Sequence, residues 1–183
     1  MGEQQFLADT IHKAAENNIS FKLINQRSHK GCGGFFDQKN LVCCIKSPRR
    51  LWLGTLCHEA CHMDQFLENE PTYLSNYKNH ASPAKQMRAT LAMELDCEER
   101  SINKIIRYGL PIYLEEYYQM GNCYLASHYY FHKFKCFYHP KHSPYRNPEL
   151  LAMFPDDQYL SFDELWRPNK KLGDFLKQWN KPN

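Results

Sequence analysis

The chain of 183 residues has no long apolar run. No stretch approaches the roughly 20 apolar residues that a membrane-spanning helix needs. The opening "MGEQQFLADT" has neither the basic start nor the apolar core of a secretory signal. Phe6 stands where a myristoylation motif would carry Ser or Thr. The expected location is therefore cytoplasmic. Eight cysteines are present, yet none form a C-x-x-C pair, which argues against a zinc ribbon. Without a signal they are expected to stay reduced, most of them as small buried apolar side chains. No internal repeat or low-complexity block marks a boundary, so the expectation is one domain over residues 1–183, with a core at about 19–135 and an irregular extension at about 136–183. The net charge of +3 compels no nucleic-acid or membrane partner.

What is present reads as an α+β chain with a small, mostly antiparallel sheet packed on helices. Phe6, Leu7, Ile11, Ala14 and Ala15 recur at helical spacing, and Asn17-Asn18 stops that helix. Ile19 to Asn25 alternates as a strand. "GFFDQKNLVCCIK" reads as a hairpin with "DQKN" at its turn. Ser47-Pro48 and Ser82-Pro83 each signal a helix start, with Ser as N-cap and Pro at the first helical position. The first of these helices should reach Phe66 or Leu67, and the second should stop at Gly109. "ENEPTYLSNYKNH" is expected to be a loop. A further helix should cover about Ile112 to Phe134, with Gly121 as a weak point. Beyond it the chain is Pro-rich, with a capping box at Ser161–Glu164 and a final helix near Leu172 to Trp179.

The chemistry concentrates in "CHEACH", residues 57 to 62. His58-Glu59-Ala60-Cys61-His62 fits H-E-x-x-H. Residues four apart on a helix lie one above the other, so both imidazoles can face one metal ion. Glu59 falls about 100° further round, beside the ion. There it can take a proton from a water that zinc activates. Cys57 and Cys61 lie on the side opposite Glu59 and are expected to pack against the sheet.

A catalytic zinc needs a third protein ligand and an open position. "HMDQFLENEP" offers no histidine in the metzincin position. The next helix carries "MELDCEER", in which Glu94 and Glu98 share a face and Asp96 points away by about 200°. A carboxylate turned toward the interior needs a partner, and a metal or its histidine would be one.

With these two motifs the chain resembles the glutamate-ligand branch of the zincin metallopeptidases. The layout over roughly residues 19 to 135 is similar to small zincin-type proteins of phages and bacteria. The resemblance implies an H-E-x-x-H active-site helix and a second helix bearing E-x-x-x-D. The first acid there binds one zinc ion and the last orients a ligating histidine. Glu94-Leu-Asp-Cys-Glu98 matches, with Glu in place of the final Asp. Glu94 is thus the implied third ligand, and Glu98 is the orienting acid or the alternative ligand. The implied activity is zinc-dependent hydrolysis of a protein or peptide, with Glu59 as base. The strand at Gly33, Gly34, Phe35 and Phe36 would be the edge on which a substrate lies; an ordinary hairpin arm fits it equally. His128, Tyr129, Tyr130 and His132 are candidates to stabilise an oxyanion.

Two rivals remain open. One is a zincin scaffold that only binds or inhibits. The other is a nucleic-acid partner using residues 117–148, which hold Lys133, Lys135, Lys141 and Arg146 among aromatics and no acid. A core helix with a basic loop fits that segment better. A second metal site at His128, His132 and Cys136, with His139 and His142 beyond, lacks a compact ligand spacing.

Overall fold

In the computed structural model, described for residues 2–29, 32–78, 82–134 and 144–179, the elements follow the apolar periodicities closely. Helix α1 (Gly2–Glu16) buries Phe6, Thr10 and Ala14, and Asn18 ends the turn after it in a left-handed conformation (φ 56°). Strands β1 (Ser20–Ile24), β2 (Gly34–Phe36) and β3 (Asn40–Cys44) form one sheet in the order β1-β3-β2. Then come α2 (Arg49–Leu67), α3 (Pro71–Asn76), α4 (Pro83–Tyr108) and α5 (Leu114–Phe134). Among the described residues, a 3-10 turn (Pro144–Arg146) and three short helices, α6 (Pro148–Leu151), α7 (Phe162–Leu165) and α8 (Lys170–Trp179), follow. Among the described residues no helix is long and apolar enough to cross a membrane.

The sheet is mixed, which corrects the expectation of a mostly antiparallel one. β2 and β3 form the expected hairpin, pairing Gly34 with Cys43 and Phe36 with Leu41. The Asp37 carboxylate accepts from the backbone N–H of Lys39 (3.1 Å) and Asn40 (2.7 Å) and so builds the turn. β1 runs parallel to β3, with Ser20 opposite Asn40 and Ile24 opposite Cys44. A parallel partner needs a connection of a dozen or more residues. Residues 25–39 supply it, and they contain β2 itself.

Helix starts differ by small shifts with clear causes. Ser82 caps α4, accepting from Lys85 N–H at 3.3 Å. Ser47 does not cap α2: Pro48 occupies the cap position, in extended conformation, and its carbonyl accepts from Leu51 and Trp52. The segment expected as a loop after α2 contains α3, which starts at Pro71. Helix α5 runs through Gly121 unbroken, because that glycine is buried and packing overrides its weak propensity.

The chain divides into two compact units. One comprises the residues up to Ser75 with Asp96–Tyr113; the other comprises Asn76–Leu95 with the residues from Leu114 on. In the first unit, α2 lies between the sheet and the second half of α4. Its sheet side presents Thr55 and Glu59 to Gly34. Its other side places Cys57 against the Ser101 carbonyl (3.6 Å) and Cys61 under the Ser101 hydroxyl (3.5 Å). The expectation that these cysteines pack on the sheet is thereby corrected: they pack on α4. The second unit has its own apolar core, including Leu91, Cys123, Leu125, Tyr130, Leu150, Leu165, Leu172 and Leu176.

Candidate metal centre

His58 and His62 leave α2 one turn apart, and their Nε2 atoms converge to 3.1 Å. Their ring planes are nearly perpendicular, at 89°. Two nitrogens bound to one tetrahedral zinc at about 2.05 Å lie about 3.3 Å apart. The spacing of this pair therefore fits a shared ion.

The partners of the other ring nitrogens sharpen the fit. His62 Nδ1 lies 2.8 Å from Gln65 Oε1. The orientation of that amide is fixed, because Gln65 Nε2 donates to Asp96 Oδ2 at 2.6 Å. Gln65 therefore presents an acceptor, and His62 must carry its proton on Nδ1. His58 Nδ1 lies 3.1 Å from Glu98 Oε1, so it too donates from Nδ1. In the neutral rings both Nε2 atoms then carry lone pairs, aimed at each other. Two lone pairs at that separation repel unless a proton or a metal ion is shared between them. This is the tautomer arrangement that metal-binding histidines adopt.

The surroundings favour a fixed geometry. His62 is 8% exposed, Gln65 0% and Glu98 5%. Cys97 joins the histidines: with His58 and His62 it brings ligand atoms within 4.8 Å of one another, a group able to hold a metal ion. Its thiol lies 3.6 Å from His58 Nδ1 and 3.2 Å from the His58 carbonyl, on the Glu98 side of the ring. Glu94 is buried on α4, one turn before Glu98.

Glu59 sits half-buried on the sheet side of α2. A Cβ on Gly34 would come within 3.1 Å of Glu59 Cγ and 2.8 Å of Thr55 Cγ2. Only a glycine lets β2 pass this close to the carboxylate-bearing side chain. β2 is also an outer strand of the sheet. The expected edge Gly34, Phe35 and Phe36 is thus an edge, and it runs beside Glu59, with Gly33 just before it. Phe36 packs its ring on Phe66 at 5.8 Å, while Phe35 stacks on His29 at 5.5 Å on the other face. Burial pushes the Cys43 thiol up to about 12, and the nearby Glu59 carboxylate adds to it.

The remaining candidates belong to the second unit. Tyr130 is buried in its core and its hydroxyl donates to the Asn169 carbonyl. Tyr129 packs edge-on against Tyr130 and Trp166. His128 sits among the rings of Tyr124 and Phe131. The side chain of His132 and residues Lys135, Cys136, His139, Lys141 and His142 lie outside what is described. In the described part of the aromatic segment 117–148, Tyr130 and Phe131 are buried, the other tyrosines are half-buried and Lys133 is exposed.

Sequence reasoning did not find Gln65, Asp96 or Cys97 as parts of this centre. Gln65 was within reach, because it stands three residues after His62 on the same helix. Every described cysteine is a free thiol. No protein-family model, curated protein or solved structure matches the chain.

Proposed function

We propose that the chain is a zinc-dependent metallopeptidase with a zincin-like catalytic core. The observation that carries this reading is the pair of Nε2 atoms, 3.1 Å apart on an H-E-x-x-H helix, whose Nδ1 atoms both face buried oxygens of Gln65 and Glu98. His58 and His62 would hold one zinc ion. Glu94 completes the protein ligands by resemblance, and Cys97 is its rival. When bound, zinc supplies a Lewis acid that polarises a carbonyl and makes water nucleophilic near neutral pH.

The chain's own residues do the rest. Glu59 accepts a proton from the attacking water and returns it to the leaving amine. Glu98 and Gln65 hold the imidazoles by their Nδ1 atoms so that both Nε2 atoms turn toward one position. The edge of β2 aligns an extended peptide by backbone hydrogen bonds, as strand addition does elsewhere. The substrate class is therefore a peptide or an unfolded protein segment, and the reaction is hydrolysis of its backbone amide.

The test is a peptide mixture incubated with zinc-loaded protein and read by mass spectrometry. New fragments are expected with the wild type and none with Glu59→Gln, while zinc content stays equal. A binding or inhibitory module would show no cleavage in either and unchanged binding in Glu59→Gln. For the third ligand, zinc content should fall in Glu94→Ala and persist in Cys97→Ala. The reverse result would move the ligand to Cys97.

A further inference from the structure

The metal-facing state of His62 depends on a chain of side chains that reaches well away from it. Gln65 Oε1 accepts from His62 Nδ1. An amide can turn over at little cost, and if it turned, Nε2 would donate to Nδ1 instead. Asp96 prevents this, because its Oδ2 accepts from Gln65 Nε2 at 2.6 Å. The same Oδ2 accepts from Arg100 Nε at 2.8 Å, one turn along α4. Arg100 is itself clamped by Glu68 (2.6 Å) and Glu70 (2.9 Å) at the end of α2. All these residues lie in the first unit.

We propose that Asp96 and Arg100 are positioning residues for the metal centre, setting the tautomer of His62 through Gln65. The consequence of losing them is specific. A turned Gln65 amide would force the His62 proton onto Nε2. That N–H would point at the His58 Nε2 lone pair 3.1 Å away and make a good hydrogen bond. The histidine pair would then satisfy itself, and zinc would have to break that bond to enter. In the wild type the relay holds the His62 proton on Nδ1, away from His58 Nε2.

The inference rests on the metallopeptidase reading for its purpose, but its test separates the two. The first readout uses metal-free protein: ¹⁵N shifts and long-range couplings of the His62 ring give the tautomer directly. The expected result is an Nδ1–H ring in the wild type and in Asp96→Asn, whose amide oxygen can still accept both bonds. Asp96→Leu should move the ring toward Nε2–H, and Arg100→Met should do so partially. The second readout is zinc affinity by competition with a chromophoric chelator. A loss of about 10–100-fold is expected for Asp96→Leu, the usual range for such outer partners, with recovery in Asp96→Asn.

A purely structural ion-pair role would lower thermal stability in Asp96→Leu and Arg100→Met but leave the tautomer alone. An unchanged tautomer in either folded variant would overturn the inference. A shifted tautomer in a protein that never binds zinc would support the relay and overturn the metallopeptidase reading. Arg100→Met and Asp96→Asn keep the test decisive if Asp96→Leu fails to fold.

Discussion

The two units bury polar side chains in different ways. In the second unit, the fully buried Asn122 accepts from Leu160 N–H and donates to the carbonyls of Pro155 and Gln158. Ser127 donates to the Cys123 carbonyl of its own helix. These side chains serve the backbone. In the first unit Thr10 and Ser101 also donate to backbone carbonyls, but the polar side chains around the histidine pair serve one another. His62 meets Gln65, Gln65 meets Asp96, and His58 meets Glu98. Asp64 takes Lys13 at 2.7 Å and Lys104 at 2.5 Å. Bonds to backbone pin loops in place. Bonds between side chains orient ring nitrogens and carboxylates, and those are the groups that bind metals and move protons.

This contrast can be broken at several points. The largest effect should come from Glu59→Gln, which keeps fold and zinc yet should lower peptide hydrolysis by about 10²–10⁴-fold, the range of a lost general base. Equal hydrolysis would remove Glu59 from the chemistry. Gly34→Ala should come next. The added methyl meets Thr55, the Val42 carbonyl and Glu59, so β2 or Glu59 must shift. A cost of roughly 1–3 kcal/mol is expected by overpacking, together with a fall in kcat that exceeds the fall in zinc occupancy. Full activity in Gly34→Ala would separate β2 from the reaction.

The second unit should respond oppositely. Asn122→Ala strands three backbone groups and should cost roughly 2–4 kcal/mol in urea unfolding while zinc affinity stays unchanged. A variant that kept its stability but lost zinc would erase the distinction between the units. The smallest effect is the pH dependence of Lys104. Burial alone would lower the pKa of its ammonium, but the Asp64 carboxylate more than reverses this and holds it above 10.5. A lysine raised on folding adds stability that is fully present below its unfolded value and fades as pH rises through the folded one. Wild-type unfolding midpoints should therefore decline above about pH 10.5. Lys104→Met should flatten that decline.

Much of this fold is legible in the order of residues, and the reasons are physical. Helices α2 and α4 announce themselves through Ser-Pro starts and sustained apolar periods. The H-E-x-x-H spacing places two rings on one face by helix geometry alone. Glu94 and Glu98 share a face for the same reason, and Glu98 indeed reaches His58. A helical wheel gives angles between residues but not the identity of the neighbour on each side. The wheel therefore puts Cys57 and Cys61 opposite Glu59, where they lie, but does not tell that α4 and not the sheet packs on that side. The Gln65–Asp96 bond joins residues 31 apart on two helices and follows no period. Asp96 does point away from the glutamate face, but only the packing of α2 on α4 shows that it points at Gln65. The parallel pairing of β1 with β3 was hidden likewise, because strand order depends on which edge the crossover leaves open.

Zinc content per chain tests the centre most directly. Protein purified without chelators and supplied with zinc should hold about one ion per chain, as a closed histidine pair with a third donor requires. His58→Ala and His62→Ala should each lose it while remaining folded. Zinc-free wild-type protein, or full zinc in both variants, would contradict a metal held between these two rings.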